Sequence, residues 1–418
     1  MIAEIITVGD ELLIGQVVDT NSAWIGKTLS AAGISVIQIN SISDKAAEIV
    51  ATLDKSLTRS QLVLMTGGLG PTRDDITKET LASYFNSPLV ENAAALENVR
   101  QIFTRLNRPL IEVNRKQADV PENCIVLQNH SGTAPGMWFE RDGQIVVSMP
   151  GVPSEMKGMM ETQVIPMLLE KFTLPAIIHY TVLTSGIGES FLSELLVTLE
   201  DELPGNITLA YLPSLGTVRL RLTGRGADKE QLTGEIQLQV EKLRRLAGKY
   251  IVVEEDITLH AAILRKLSAR KETLSLAESC TGGYMSQLFT SVAGASAVFL
   301  AGIVSYSNAA KISFLGVNPE TIESFGAVSE QVAREMIQGL MVRTGSDYGI
   351  SVTGIAGPEG GTPDKPVGTV WIGIGNRQGI YTRKFQFGNQ RVQNIERSSN
   401  NALSWLNSLI GNPEDFKA

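Results

Sequence analysis

Within Ala277-Glu278-Ser279-Cys280-Thr281-Gly282-Gly283, the last five residues hold two hydroxyls, a thiol and a glycine pair. An apolar run, Thr273-Leu274-Ser275-Leu276, precedes this stretch, and a helical pattern through Met285, Leu288 and Phe289 follows it. A strand that stops in hydroxyls and glycines and then enters a helix aims several backbone N–H groups at one point. That point attracts an anion or a developing oxyanion. Ser279 or Thr281 could serve as a nucleophile there, and Cys280 is a rival because a thiol is the more reactive group. The plain alternative is a helix cap with a tight turn, since Ser and Thr are favoured caps. Histidine is scarce: His130, His179 and His260 stand alone, none in a metal-ligand spacing. An activated hydroxyl in this chain therefore calls for Lys or a carboxylate as its base.

A second constellation lies near the N-terminus. Gly67-Gly68-x-Gly70 follows an apolar run over residues 62–66. Glycines after a strand let the backbone approach a phosphate and point N–H groups at it. Asp74 and Asp75 come four and five residues later, and adjacent carboxylates beside a phosphate cradle suit Mg²⁺ or a similar hard cation. A pair of helix-capping acids is the structural alternative. Asp10-Glu11, with Asp19-Thr20-Asn21 nearby, adds further oxygen ligands or sugar contacts.

These residues need elements to hold them. Residues 1–170 alternate predicted strands (3–8, 35–42, 62–66, 145–149) with predicted helices (21–32, 45–59, 77–85, 93–105). Such alternation implies parallel βαβ units with helices on both faces, and ligands bind beyond the carboxyl ends of the strands. Residues 171–255 read as a small α+β unit. It has a strand over 178–184, a helix opening at Gly186-Ile187-Gly188-Glu189, and a hairpin in which Val218, Leu220 and Leu222 alternate with Arg219 and Arg221. A helix over 229–246 closes it. Residues 256–418 form another α/β layer. Predicted strands cover 274–277, 301–305, 348–353, 368–374 and 379–387, between helices over 259–269 and 392–410.

A chain of 418 residues exceeds one core, so two or three domains are expected. A formal charge of −8 argues against general nucleic-acid binding. Cys124 and Cys280 lie far apart, which fits a reducing cytoplasm rather than a disulfide framework. The first residues read as a strand rather than a signal peptide, and no apolar run reaches membrane-spanning length.

Gly9-Asp10-Glu11-Leu12-Leu13-x-Gly15, Asp19-Thr20-Asn21, Thr66-Gly67-Gly68-Leu69-Gly70-Pro71-Thr72-x-Asp74-Asp75 and Pro150-Gly151-Val152-Pro153-x-Glu155-Met156 resemble the CinA family, named for competence and damage induction. The Ala277–Gly283 stretch resembles that family's C-terminal nicotinamide-nucleotide amidase domain. The resemblance covers essentially the whole chain. It implies an α/β fold in three parts: a molybdopterin-binding-like three-layer domain at 1–170, a KH-like linker or dimerisation domain at 171–255, and an α/β amidase domain at 256–418.

By resemblance, the first domain cleaves ADP-ribose at its pyrophosphate with a divalent metal (Mg, Co, Ni or Mn, with K as an optional companion). Asp74 and Asp75 would hold the metal, Gly67, Gly68 and Gly70 the phosphate, and Asp10, Glu11 and Asn21 would line the pocket. The competing implication is pterin binding. The amidase domain would convert nicotinamide mononucleotide to nicotinic acid mononucleotide and ammonia without a cofactor. Ser279 would be nucleophile, Lys311 the base and Tyr306 a helper. A lysine serves as base only if its pKa falls from about 10.4 towards neutrality. Thr281, Gly282 and Gly283, with Thr353, Gly354 and Gly357 of a second glycine loop, would form the oxyanion hole or phosphate cradle. The family's Gly-Asp-Arg before the last helix reads Gly388-Asn389-Gln390-Arg391 here, which leaves both Arg391 and Arg397 open as phosphate contacts.

The KH-like part carries Gly186-Ile187-Gly188-Glu189 where a nucleic-acid clamp has Gly-x-x-Gly, and residues 177–255 hold 8 basic against 11 acidic side chains. A structural or dimerising spacer is expected rather than an RNA-binding one. A cytoplasmic homodimer acting on small nucleotides, away from membranes, is the resulting expectation. A non-catalytic scaffold for DNA uptake or repair is the alternative from another class.

Overall fold

β1 (Ile2–Val8) is buried along its length from Ala3 on, and its alternate side chains feed two cores. Ala3 and Ile5 pack with Ile25, Leu29, Leu62 and Leu64 on one face. Ile6 and Val8 pack with Ile49, Leu53, Val63 and Met65 on the other. Strands covered on both faces are what parallel βαβ units produce. The computed structural model describes residues 1–411, so the last seven positions of the region 256–418 lie outside the described residues.

The first sheet contains β1, β2 (Ser35–Ile42), β3 (Leu62–Thr66), β6 (Ile125–Leu127), β7 (Gly136–Arg141) and β8 (Gln144–Met149) in the order β2-β1-β3-β8-β7-β6. A separate ribbon pairs β4 (Leu89–Glu91) with β5 (Asp119–Pro121). β2, β1, β3 and β8 are parallel, but β8, β7 and β6 form an antiparallel meander. The four strands read from the sequence are thus the parallel ones, and β7 and β6 are antiparallel additions that begin at the turn Asp142-Gly143. Both residues have positive φ (54° and 77°), and a two-residue turn of that kind joins only antiparallel neighbours. Loops at the carboxyl ends of β1, β3 and β8 converge: the Gly67 N–H donates to Met149 O, and Gly9 N–H to Ile42 O, each at 3.0 Å.

The middle region holds β9 (Ala176–Ser185), β10 (Ile207–Ser214), β11 (Thr217–Gly226) and β12 (Ile251–Val253) in the order β10-β11-β9-β12. Val218 and Leu220 of β11 pack with Val182, Leu192, Leu196 and Leu243, so the alternation visible in the sequence does select the core face. The chain divides into two compact units. The first is Met1–Ile178 with Gly224–Thr233; the second is His179–Thr223 with the chain from Gly234 onward.

The C-terminal sheet is β14 (Phe299–Val304), β13 (Leu274–Glu278), β15 (Tyr348–Gly354), β16 (Thr369–Asn376) and β17 (Gly379–Gln386), in that spatial order. β13 pairs in parallel with both β14 and β15, while β16 and β17 are antiparallel additions. Residues 306–347, to which the sequence pattern assigns no element, contain three helices: Asn308–Leu315, Pro319–Phe325 and Glu330–Thr344. Each starts on a side chain that accepts a first-turn N–H (Ser307, Asn318, Ser329) and stops at a glycine (Gly316, Gly326, Gly345). The first of them carries Lys311.

Candidate active site

β13 is the central parallel strand of its sheet and is buried throughout. Ser279 leaves its end, anchored by its N–H to Val352 O at 2.9 Å. Gly282 and Gly283 take positive φ (62° and 97°) and turn the chain into the helix Tyr284–Thr290. Lys311 arrives from 32 residues away. Its side chain is almost wholly buried (2 % exposed). Its Nζ lies 2.8 Å from Ser279 Oγ and donates to Ser305 O at 2.9 Å. In the contact with Ser279 the charged amine donates, whereas the neutral amine accepts the hydroxyl proton. Burial pushes the Lys311 amine below its ordinary range, the direction a general base requires.

Cys280 is buried one position on, and burial pushes its thiol up to about 12 against the weaker pull of the Lys311 and Arg391 charges. At neutral pH it carries no thiolate, so the more reactive element is the less reactive group here. Ser279 holds the base.

The amide groups of the turn are divided. Gly282 N–H donates to Ser279 O (3.1 Å) and Tyr284 N–H to Thr281 O (3.0 Å). The Gly283 N–H goes to the carboxylate of Glu278 at 3.1 Å. Gly282 and Gly283 therefore shape the turn, and their N–H groups are already bonded. Among the described residues, the N–H groups of Cys280 and Thr281 meet no acceptor elsewhere in the protein. The Thr281 hydroxyl is buried without a partner.

Thr353 Oγ1 donates to Ala327 O (2.8 Å), which makes it a brace of the second glycine loop. A Cβ at Gly354 would meet Val370 at 2.6 Å, and one at Gly357 would meet Val367 at 2.5 Å; both glycines answer to close packing. Asn394, buried in the last helix, donates to Ala356 O and Gly388 O, each at 2.9 Å, and ties the two loops together. Arg391 bridges Gly357 O (2.9 Å) and the Tyr306 hydroxyl (2.6 Å). Tyr306 is exposed and its hydroxyl accepts from this arginine, while among the described residues no hydrogen bond joins it to Ser279. Arg397 lies by Gly388 instead. A cavity of about 550 Å³ in the same unit, lined by Gly186–Glu189, Arg383 and Trp405, includes none of these residues.

In the first domain, Asn21 Nδ2 donates to Gly151 O (2.7 Å) and Thr66 Oγ1 (3.2 Å), while its Oδ1 is buried without a partner. Asn21, Glu11, Asp19 and Thr66 line a cavity of about 110 Å³. A Cβ at Gly67 would strike Val8 O at 2.1 Å, one at Gly68 the Thr77 hydroxyl at 2.2 Å, and one at Gly70 the Asp75 carboxylate at 2.4 Å. Gly67 and Gly68, both at positive φ, are thus required by the protein's own contacts, while Gly70 leaves room for the Asp75 carboxylate. Asp75 is held by the Thr72 N–H (3.0 Å) and hydroxyl. Asp74 is exposed, and the Thr72 side chain beside it, then its own backbone N–H, hold its carboxyl below the usual range. Asp44, absent from the sequence reading, accepts the Asp10 N–H at 2.9 Å. Partial burial, then the neighbouring charges of Glu11, Asp10 and Asp74, raise its pKa. This all-oxygen, mutually repelling set suits a hard cation, although no three His, Cys, Asp or Glu among the described residues gather closely enough to hold one by themselves.

Residues 256–410 match the family described as CinA C-terminal domain, residues 179–252 the damage-inducible protein CinA KH domain, and residues 4–170 the probable molybdopterin binding domain. A CinA-like protein of Flavobacterium psychrophilum is 47% identical over 97% of this chain and 98% of its own. The chain belongs to the CinA family. A CinA-like protein of Cytophaga hutchinsonii is 46% identical over 97% of this chain and 96% of its own. The crystal structure of a competence/damage inducible protein from Agrobacterium tumefaciens is 38% identical, covering 36% of this chain and 93% of its own with a TM-score of 0.36. Among the described residues of this CinA chain, no helix is long and apolar enough to cross a membrane.

Glu278, Ser305, Asn394 and Asp44 are the site residues that sequence reasoning missed. Glu278 had a signal: an acid at the end of an otherwise apolar central strand must be satisfied internally. Asp44 meets Asp10 from 34 residues away, and Ser305 and Asn394 work through backbone oxygens, which no side-chain pattern marks.

Proposed function

We propose that the C-terminal domain of this CinA chain is an amide hydrolase acting on nicotinamide mononucleotide, releasing ammonia and nicotinic acid mononucleotide. The observation that carries it is the buried Lys311 amine, 2.8 Å from the Ser279 hydroxyl and lowered in pKa by burial. A scaffold gains nothing from such a pair, which costs stability to keep dry. Neutral Lys311 takes the Ser279 proton as Oγ attacks the carboxamide carbon. Negative charge develops on the carbonyl oxygen, and the N–H groups of Cys280 and Thr281, which meet no acceptor elsewhere in the described residues, are donors available for it. Lys311 returns the proton to the departing ammonia, and then activates the water that frees Ser279. Arg391, bridging the glycine loop and Tyr306, would grip the phosphate. Ammonia release by the purified chain, with Ser279→Ala and Lys311→Met losing roughly 10³-fold or more and Cys280→Ala staying near wild type, is the expected result. No ammonia release, or loss in Cys280→Ala alone, would overturn the assignment.

For the first domain, we propose metal-dependent cleavage of ADP-ribose to AMP and ribose 5-phosphate. The supporting observation is the group Asp10, Glu11, Asp44 and Asp74: partial burial, then the like charges of the other three, raises Asp44, and Glu11 lines the Asn21 cavity. Asp74 and the free oxygen of Asp75 would hold the cation together with the substrate phosphates, which would complete its shell. The bound cation would neutralise charge on the pyrophosphate; Asn21 and the loops around Gly67 and Gly151 orient the substrate. A pterin that binds stoichiometrically with no cleavage of ADP-ribose would favour the binding role instead.

A further inference from the structure

We propose that Glu278 is a positioning residue of the amide-hydrolysing site, a role resting on Ser279 being the nucleophile. Glu278 directly precedes Ser279 and is 0 % exposed. One carboxylate oxygen accepts the N–H groups of Gly283 and Met285, both at 3.1 Å. The other accepts the N–H (2.8 Å) and hydroxyl (2.6 Å) of Ser286. Strand end and helix start are thereby closed into a ring around the nucleophile. A buried carboxylate is tolerated only when so bonded.

Two consequences follow for the chemistry. First, the ring fixes the turn that carries Ser279 Oγ at 2.8 Å from Lys311. Second, it occupies three N–H groups at the start of the following helix, which would otherwise attract negative charge away from the reacting oxygen. Among the described residues, the Cys280 and Thr281 N–H groups next along the chain from Ser279 meet no acceptor elsewhere in the protein. Glu278 does this through its bonds to the N–H groups of Gly283, Met285 and Ser286 and to the Ser286 hydroxyl, while Lys311 bonds to Ser279 and Ser305. A structural carboxylate that merely stabilised the fold would change melting without changing the reactivity of Ser279.

Glu278→Gln keeps the shape but turns one acceptor into a donor facing donors. Ser286→Ala removes a single bond and leaves the carboxylate in place. Two readouts are taken on the full chain: ammonia from nicotinamide mononucleotide, and the rate at which a fluorophosphonate probe phosphonylates Ser279. In the second, the Ser279 O–P bond forms, fluoride leaves, and the hydroxyl proton passes to Lys311. Glu278→Gln should lower kcat and the labelling rate together by roughly 10- to 100-fold, with KM and the pH midpoint of labelling unmoved. Ser286→Ala should fall between it and wild type. Labelling of both variants at the wild-type rate, or a moved pH midpoint, would overturn the proposal. Wild-type labelling without ammonia release would remove the substrate assignment while leaving Glu278 testable by labelling. Wild-type protein that labels nowhere near Ser279 would remove both.

Discussion

The two α/β domains use one local pattern, a buried strand that ends in glycines, to build opposite kinds of site. After β13 the pattern delivers a dry pair: Ser279 and Lys311 touch, both buried, with no carboxylate partner. After β1 and β3 it delivers an exposed acidic rim whose members raise or crowd one another. The glycines differ as well. Gly67 and Gly68 are required because backbone or hydroxyl oxygens lie where a Cβ would go. Around Gly282 there is open space, so its positive φ alone makes the demand. A preassembled nucleophile needs desolvation; an acidic rim needs a cation before its charges can cooperate.

That contrast breaks first under chelation. EDTA should abolish ADP-ribose cleavage and leave ammonia release from nicotinamide mononucleotide unchanged. Asp74→Asn should lower only the former, by at least the roughly 10- to 100-fold that outer-shell changes cost a metal site. Parallel assays on one preparation check both, and chelator-sensitive ammonia release would erase the distinction. Next in size is the phosphate grip. Arg391→Ala should raise KM for nicotinamide mononucleotide about tenfold or more, the worth of one charged hydrogen bond. Arg397→Ala, at Gly388 rather than beside Tyr306, should raise it less.

The dry site also has a pH signature of known sign. Ammonia release needs neutral Lys311, so kcat/KM should climb with pH through the lowered pKa of that amine. Stability follows from the same shift. Between the lowered folded value and the unfolded value near 10.4, only the unfolded chain holds the proton, so stability rises with pH across that window. Lys311→Met should therefore be inactive yet more stable in thermal melts. Its gain should be constant below the folded pKa and shrink as pH approaches about 10.4. The smallest effect is local. Ser307 Oγ accepts the Ala310 N–H at 3.1 Å and caps the helix that carries Lys311; Ser307→Ala should cost about 1 kcal/mol in denaturant unfolding.

Much of this was legible beforehand. β1 and β3 are apolar runs bounded by turns, and a buried parallel strand leaves that mark. The helix Glu330–Thr344 was legible though unassigned: Val332, Ala333, Met336, Ile337 and Leu340 recur at helical spacing, Arg334 and Gln338 lie on the exposed face, and Ser329 and Gly345 cap it. β7 was missed because Met137, Trp138 and Phe139 are all buried, which erases the alternation that marks a half-exposed strand.

The sequence by itself determined which side chains were available: a serine without a histidine, a lysine in reach of nothing local, and acids after two strands. Their turn-forming glycines and apolar periods are local properties, so they are written in consecutive residues. Only the tertiary structure decided that Lys311 loses its water against Ser279, that Cys280 is sealed into its protonated form, that Glu278 takes the helix amides, and that Arg391 rather than Arg397 meets Tyr306. Each depends on burial or on contacts across the sheet, and desolvation is a property of the packed whole that no stretch of sequence carries alone.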